Sequence, residues 1–376
     1  MNLVRRATPE GRLVGLDVAR CLALLGMVAT HVLDERTPAG ELTFAQWLAG
    51  GRASALFAVL AGVSLALMTR EPLRGRPLAL RSAGIATRAL LIAALGLVLG
   101  GLETGIAIIL TYYGLLFLLG LPFTLLRLRA LVVLAVGWVV LAPMVSHLVR
   151  PHLPPRGFDS PTFGQLSDLG QLASELLFTG YYPVVPWLAY LLVGLALGRA
   201  DLRDTGLLAG LAAGGLGLAL VATQVSRSLV DPVVAAENAA GMFGTTPTGG
   251  DWSWLLVVAP HSATPFDLAQ TIGSAVFVIA TCLLVERVLP RPGAAALAIV
   301  FGAGTMTLTL YSLHVVMRTP DVWPPEVPST YPDHVLVLLT VGAAFVLAGR
   351  RGPLETVAGL PVRWARQSSR AGVGKE

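Results

Sequence analysis

About ten apolar runs, each roughly 20 residues long, follow one another along this chain of 376 residues. An α-helix needs a run of about that length to cross the hydrocarbon core of a bilayer. The composition agrees, since 55% of the residues are hydrophobic and 13% are charged, against roughly a quarter charged in soluble domains. The sequence therefore predicts an all-α, polytopic integral membrane protein with about ten transmembrane helices.

Short polar joins separate most of these runs. We place the spans at 14–33, 52–69, 83–101, 106–126, 130–148, 183–198, 206–225, 266–285, 295–316 and 334–349. Two connections are long, 149–182 and 226–265. In the seventh run, four glycines predict close packing against neighbouring helices: Gly210, Gly214, Gly215 and Gly217. We expect residues 1–351 to form one transmembrane domain and residues 352–376 to form a basic cytoplasmic tail.

The arginines predict the orientation. If the N-terminus is cytoplasmic, most of the 27 basic residues lie in the inner joins and five lie in the outer loops. Because inner loops carry the excess of Lys and Arg, we expect both termini to be cytoplasmic. Arginines dispersed over short loops also argue against a nucleic-acid partner. Lys375 is the only lysine, a bias that suggests a GC-rich bacterial genome and hence the plasma (inner) membrane.

The first run, Arg12 to Leu33, carries charges that a plain membrane anchor does not need. Asp17 and Arg20 stand three residues apart and can pair on a helix. His31 follows Arg20 by eleven residues, about three turns plus 20°, so both project from one face roughly 16 Å apart. Charged groups inside a span usually face a protein interior or a cavity and mark a path or a site. The first span is thus predicted to line a polar cleft.

These residues carry a family resemblance. The pattern is Arg12-x-x-Gly15-Leu16-Asp17-x-x-Arg20-x10-His31. It resembles the first span of the transmembrane acyltransferase superfamily, which includes the OafA-type O-acyltransferases and the heparan-α-glucosaminide N-acetyltransferases. Weaker similarity to the branch near the glucosaminide acetyltransferases runs through 51–67, 109–122, 182–199, 260–275 and 304–314.

The resemblance implies transfer of an acyl group, in the first place acetyl, from cytoplasmic acyl-CoA to a hydroxyl or amine of an outer-side glycan or lipid. Acetyl-CoA or another acyl-CoA would be the donor substrate, and no cofactor would be bound permanently. In the lysosomal enzymes the position of His31 is typically Asn, and the catalytic histidine lies in the following loop. Residues 34–50 of this chain contain no histidine, so His31 is expected to act as the base, as in OafA-type enzymes.

All six histidines fall on the predicted outer side, where they could serve proton transfer or simply meet the membrane interface. We expect His31 to be the general base, with Asp34 or Glu35, one turn on, orienting its ring. His261 is the rival candidate for the base. The acceptor-side candidates are Arg52, Trp252, Trp254, His261, Tyr311 and His314. The tryptophans are equally typical of an interfacial belt.

Arg20 and Arg88 lie toward the predicted cytoplasmic side of their spans, where the phosphates of acyl-CoA would arrive. We expect them, with Asp17, to bind the donor; snorkelling is the alternative for the arginines. Cys21 and Cys282 lie inside spans without metal-ligand spacing, so no metal site is predicted. Motifs for ATP hydrolysis, zinc proteases, serine hydrolases and dinucleotide binding are absent from the sequence.

Two functions remain open from sequence. The first is the acyltransferase, with membrane lipids, acyl-CoA and the outer-side acceptor as its partners. The second is a transporter or flippase of a lipid-linked or anionic solute, which would use the same intramembrane charges as a path. The sequence shows no internal repeat and no paired runs interrupted by Gly or Pro, which disfavours the transporter. O- versus N-acylation, and a homodimer versus a monomer, also stay open.

Overall fold

The computed structural model describes residues 8–9, 11–102, 104–157, 160–235, 251–319, 322 and 327–373, with side chains up to residue 368. It is 77% helical. The described residues contain no β-strand, and their only bridge pairs Arg36 with Leu42. The all-α prediction is confirmed.

The α-helices are numbered here in chain order. They are α1 (Val14–Val32), α2 (Phe44–Ala49), α3 (Arg52–Met68), α4 (Gly75–Gly100), α5 (Leu110–Gly120), α6 (Leu128–Val149), α7 (Leu169–Ser174), α8 (Val184–Arg199), α9 (Thr205–Leu229), α10 (Pro265–Val288), α11 (Arg291–Val300), α12 (Thr307–Met317), α13 (Tyr331–Ala348), α14 (Pro353–Ala358) and α15 (Leu360–Val373).

Seven helical stretches among the described residues are long and apolar enough to cross a membrane. They involve α1, α2 with α3, α4, α6, α9, α10 and α13. An eighth span results if the segment Leu169–Thr179 and helix α8, bent by 51°, count as one. The shorter apolar helices α5, α11 and α12 occupy the remaining predicted runs. The polytopic membrane architecture is confirmed, while the count of about ten remains a prediction.

The ninth predicted run is not one continuous helix. Helix α11 ends at Val300, a 3-10 turn covers Gly302–Thr305, and α12 begins at Thr307. The carboxylate of Glu355 caps the new start, accepting hydrogen bonds from the backbone N–H of Leu308 at 2.7 Å and of Thr309 at 3.1 Å. The span predicted at 295–316 is therefore interrupted at Gly302–Thr305.

The chain divides into two compact units. The first consists of Met1–Leu60, Asp201–Val225 and Ala269–Glu355. In it α1 packs against the Gly302–Thr305 turn, which also packs against α13. A Cβ atom added at Gly304 would overlap the carbonyl oxygen of Asp17. Glycine at this position therefore lets the turn and the α1 backbone touch.

The second unit consists of Ala61–Ala200, Ser226–Leu268 and Thr356–Glu376. In it α4 packs against α5, and α6 packs against α8. Helix α15, from the segment predicted as a tail, packs along α4. Those residues are therefore helical and packed on protein, although the predicted boundary at residue 352 remains untested.

Candidate functional site

Asp17 lies in a charge cluster near the start of α1. Its carboxylate accepts hydrogen bonds from Arg12 Nε at 2.7 Å and from Arg20 Nη1 at 2.8 Å, and 7% of the residue is exposed. The predicted Asp17–Arg20 pair is confirmed. Arg12 is a second partner that the sequence analysis did not predict. Two guanidinium groups compensate a carboxylate that would be costly to bury alone.

A second carboxylate caps the N-terminus of α1. Glu286 on α10 accepts hydrogen bonds from the backbone N–H of Val14 at 3.0 Å and of Gly15 at 2.8 Å. The first turn of a helix leaves its N–H groups unsatisfied and carries partial positive charge, so a carboxylate is well suited to cap it. An added Cβ at Gly15 would lie 2.7 Å from the carbonyl oxygen of Cys282. Hydrogen bonds and backbone contact therefore fix this end of α1 against α10.

His31 lies at the opposite end of α1 and meets a histidine from α12. Its Nδ1 atom is 3.1 Å from Nε2 of His314. The two rings are nearly parallel, with an interplanar angle of 7° and centroids 5.4 Å apart. The backbone carbonyl of His31 accepts a hydrogen bond from Arg318 Nη1 at 2.6 Å. Two of the predicted site residues, His31 and His314, are thus brought into direct contact.

His314 makes a second contact of the same kind. Its Nδ1 atom is 3.1 Å from Nδ1 of His334 on α13, and the rings meet edge to face at 76°. His314 and His334 are both fully buried, with 0% exposure. We call His31, His314 and His334 the histidine chain. It connects α1, α12 and α13 through contacts between ring nitrogens.

The hydrogen bonds of the histidine chain restrict its protonation. A neutral imidazole has one N–H donor and one bare acceptor nitrogen. If His31 donates from Nδ1, its Nε2 is unprotonated. His314 must then carry its own proton on Nδ1 and donate it to His334. In the reverse arrangement both bonds point the other way and His31 carries its proton on Nε2. When all three rings are neutral, only these two arrangements satisfy both bonds.

Asp34 and Glu35, predicted partners of the His31 ring, lie in the loop after α1. Asp34 is exposed, and its backbone carbonyl accepts a hydrogen bond from Thr43 Oγ1 at 2.7 Å. The carboxylate of Glu35 lies 4.0 Å from Nε of Arg36. At Nδ1 of His31 the structure places an imidazole where a carboxylate was predicted. A catalytic role for the two acids remains a prediction.

Three further candidates are divided between the two units. Arg52 begins α3 in the first unit, and its Nη1 donates to the backbone carbonyl of Trp47. Tyr311 is buried on α12, one turn before His314. Arg88 is half-buried on α4 in the second unit. Their roles as donor or acceptor contacts remain predictions.

His261 lies in the second unit, among aromatic rings. Its ring is nearly parallel to that of Trp187, with centroids 6.3 Å apart, and meets Tyr182 edge to face at 5.4 Å. Tyr182 in turn contacts Tyr112 and Trp187 edge to face. We call Tyr112, Tyr182, Trp187 and His261 the aromatic cluster. Three of these rings, Tyr112, Tyr182 and Trp187, are buried, so the cluster packs in the interior with His261 at its edge.

The backbone at His261 is unusual. Its φ is +61°, and that of Ala263 is +52°, in the left-handed region that residues with a side chain rarely adopt. Non-glycine residues held there are often found at functional sites. Burial, with a contribution from Arg156, lowers the pKa of His261 to about 4. At neutral pH the ring is therefore uncharged and only weakly basic.

The two tryptophans of the second long loop differ in their surroundings. Trp252 is 46% exposed, and its ring lies 5.0 Å from that of His147. Trp254 is buried with Val257 and Ala259 in a small apolar core. Only Trp252 therefore offers a ring face to a ligand. Residues 236–250 of this loop lie outside the described residues.

Comparison with known families adds a finding that the geometry alone does not give. The catalytic-domain model of heparan-alpha-glucosaminide N-acetyltransferase matches residues 12–214, more than half of the chain. The chain belongs to this N-acetyltransferase family. A comparison with curated proteins gives no match.

Membership of the N-acetyltransferase family indicates an acetyltransferase-like membrane enzyme, and enzymes of this family use acetyl-CoA as the donor. The matched region includes Asp17, Arg20 and His31. It ends before His261, His314 and His334, so the contacts of those residues come from the structure and not from the family match.

Sequence analysis did not identify His334 and Arg318 as site residues. His334 stands at the start of the last predicted span, where a histidine is also typical of the membrane interface. Arg318 looked like one of five outer-loop arginines. The available signal was the number of histidines on the predicted outer side, which indicated a shared region but not which of the histidines are in contact.

The residues that the structure describes were also expected, from sequence, to hold no metal site. No group of three or more His, Cys, Asp or Glu residues there is arranged to hold a metal ion.

Proposed function

We propose that this protein transfers an acetyl group from cytoplasmic acetyl-CoA to a hydroxyl or amine of an outer-side glycan or lipid, with His31 as the general base. The observation that carries the proposal is the 3.1 Å contact between Nδ1 of His31 and Nε2 of His314, on a helix within the N-acetyltransferase match. A histidine base needs one ring nitrogen fixed by a hydrogen bond and the other unprotonated, so that it can accept a proton. The hydrogen bond at Nδ1 meets the first condition.

The reaction requires only a proton acceptor and positioning, because the thioester is already activated. The acceptor oxygen or nitrogen attacks the carbonyl carbon while its proton passes to Nε2 of His31. The carbon–sulfur bond then breaks, and the thiolate of CoA takes the proton from the same nitrogen. No net proton is gained or lost by the protein. A positioned base typically contributes a factor of about 100 to 10,000 in rate.

On the donor side we propose Arg20, Asp17 and Arg88. Arg20 is held by Asp17 at 2.8 Å, and a guanidinium fixed in one orientation has the planar geometry that matches phosphate oxygens. On the acceptor side we propose Arg52 and Tyr311 in the first unit and Trp252 and His261 in the second. Exposed or stacked aromatic rings are typical contacts for sugar faces.

Location and orientation complete the proposal. Both termini would be cytoplasmic, and the membrane would be the plasma membrane of a bacterium. The arginine distribution supports this orientation. In this orientation the Asp17 cluster would lie on the side where acetyl-CoA is available, and His31 would lie on the side of the acceptor.

A dual-label assay tests the proposed function. Purified full-length protein in vesicles receives acetyl-CoA with carbon-14 in the acetyl group and tritium in the adenine, together with a crude envelope extract as acceptor. Transfer predicts carbon-14 without tritium in the acceptor fraction. Mild alkali then separates base-labile O-acetyl esters from stable N-acetyl amides. His152→Ala, a change at an exposed histidine outside both the histidine chain and the aromatic cluster, should behave as wild type.

Two outcomes would contradict acetyl transfer. If both labels crossed the vesicle membrane together with no carbon-14 in the acceptor, the protein would be a transporter, as the sequence analysis left open. If carbon-14 remained on CoA with every acceptor fraction, the acetyltransferase assignment would fail. Empty vesicles provide the background for both measurements.

A further inference from the structure

We propose that His314 and His334 are positioning residues that hold His31 in the tautomer a general base needs, with Nδ1 protonated and Nε2 bare. The inference rests on the proposed function in one respect. Two arrangements satisfy both hydrogen bonds, and the role of His31 as the base selects the one in which Nε2 of His31 can accept a proton. The coupling between the three tautomers rests on the distances alone.

The coupling follows from the two hydrogen bonds. His314 uses both of its ring nitrogens, Nε2 toward His31 and Nδ1 toward His334, each at 3.1 Å. A neutral His314 can donate at one nitrogen only, so it must accept at the other. If the proton of His334 moves from one ring nitrogen to the other, the donor and acceptor of its hydrogen bond with His314 change places. The hydrogen bond between His314 and His31 must then reverse as well. The ring of His334 selects the tautomer of His31 although the two residues belong to different helices.

Burial makes this coupling strong. His314 and His334 are fully buried, so water does not compete for the nitrogens that join them. A ring that changed tautomer alone would leave a buried donor facing a donor, or an acceptor facing an acceptor. Both are unfavourable where the dielectric constant is low. The three rings are therefore expected to change tautomer together.

Charge distinguishes this arrangement from a carboxylate partner. An aspartate behind a catalytic histidine fixes the tautomer and also stabilises the imidazolium. A neutral imidazole fixes the tautomer without adding negative charge. The charged groups beside the chain are Arg318, which binds the His31 carbonyl, and Asp333, next to His334. The protons on Nδ1 of His31 and His314 stay in place during turnover, and only Nε2 of His31 exchanges a proton with substrate.

The test combines spectroscopy with kinetics on full-length protein labelled with nitrogen-15 histidine. Ring nitrogen shifts separate protonated from bare nitrogens, and His31→Asn assigns the His31 signals. His334→Leu removes the acceptor for His314, and His334→Gln retains an acceptor oxygen. Ser312→Ala is the matched control, since its hydroxyl donates only within α12, to the carbonyl of Leu308.

We expect wild type and Ser312→Ala to show a bare Nε2 and a protonated Nδ1 at His31. In His334→Leu the His31 signals should move toward the other tautomer. The kcat for acetyl transfer should fall by about 10- to 100-fold, the range seen when a metal-binding histidine loses its orienting partner. The KM should not change, because docking does not depend on the tautomer. His334→Gln should recover part of the rate and of the wild-type tautomer.

An unchanged His31 tautomer in folded His334→Leu would overturn the inference, as would equal losses of kcat in the Leu, Gln and Ser312→Ala variants. If wild type transferred no acetyl group to any acceptor while the His31 signals still responded to His334, the proposed function would fail and the tautomer coupling would stand. If His334→Leu did not fold, His334→Ala, which also removes the acceptor for His314, would supply the same comparison.

Discussion

The two histidine neighbourhoods of this molecule have opposite chemical character. In the first unit, His31 meets another imidazole through its ring nitrogen, and that imidazole meets a third. In the second unit, the ring of His261 lies against the faces and edges of Trp187 and Tyr182. The first set of contacts can position and exchange protons. The second provides shape and apolar surface.

This difference addresses the choice of base that the sequence left open. A general base works best when its pKa lies near the operating pH and when a partner fixes its orientation. Burial lowers the pKa of His261 to about 4, so it would accept a proton poorly at neutral pH. His31 has the orienting partner. The comparison therefore favours His31 for proton transfer and His261 for binding.

Replacing each of the two histidines in a separate variant is the strongest test of this comparison. His31→Ala should lower the single-turnover rate of acetyl transfer by about 100- to 10,000-fold, because it removes the proposed base. His261→Asn should change the rate far less and act mainly on KM for the acceptor. Asparagine is chosen because it tolerates the left-handed backbone at this position better than alanine does.

Quench-flow measurement with bound labelled acetyl-CoA reports the transfer step directly. Both variants should still unfold cooperatively at pH 8 and bind acetyl-CoA with wild-type affinity, which separates chemistry from folding and docking. A near-normal rate in His31→Ala together with a collapse in His261→Asn would move the base to the second unit.

The sequence predicted the local features of the first unit and not its long-range contacts. Asp17 and Arg20 could be paired from their spacing, because neighbours on a helix are fixed by its geometry. His31 and His314 are 283 residues apart in the chain, and helical periodicity specifies the face of each residue but not its partner. The His334 contact was missed for the same reason, and the predicted carboxylates at His31 were chosen because they were near in sequence.

Glycines show the same limit. Four glycines in α9 predicted close helix packing, yet only Gly215 among them faces a neighbouring backbone. A Cβ atom added at Gly215 would lie 2.7 Å from the carbonyl oxygen of Gly273. Gly210, Gly214 and Gly217 have nothing within 4 Å. Gly304, in the break between α11 and α12, is the more constrained position. Composition can indicate that close contact occurs in a membrane protein, but tertiary structure decides which glycine makes it.

Gly304→Ala should therefore damage the first unit more than the second. Its new Cβ would overlap the Asp17 carbonyl oxygen, so α1 or the turn must shift, and overpacking of this kind typically costs about 1–3 kcal/mol. Because α1 carries His31 and α12 carries His314, the shift should also disturb their contact. We expect a lower thermal midpoint and a reduced transfer rate.

Gly210→Ala is the matched control for this substitution, since its Cβ would enter open space. Replacing glycine by alanine in a helix is neutral or slightly stabilising when there is room. Equal thermal midpoints for Gly304→Ala and Gly210→Ala would show that α1 is not held by this contact, and the geometry of the histidine chain would need another explanation.

The smallest expected effect concerns the pH dependence of stability at His261. In the unfolded chain a histidine titrates near 6.5, whereas burial lowers the pKa of folded His261 to about 4. Above pH 6.5 both states are neutral at this residue and its contribution is constant. As the pH falls toward 4, the unfolded state takes up the proton first and the folded state loses relative stability.

His261→Asn should remove this part of the pH dependence. By pH 5.5 wild type should have lost about 1–2 kcal/mol relative to its value at pH 8, a loss that the asparagine variant should not share. Thermal midpoints of both proteins, measured in the same detergent from pH 8 to 5.5, give the difference directly, and groups common to both cancel. If the two midpoints fell in parallel, His261 would titrate normally in the folded protein. The distinction between a weakly basic binding histidine and a candidate base would then be lost for this residue.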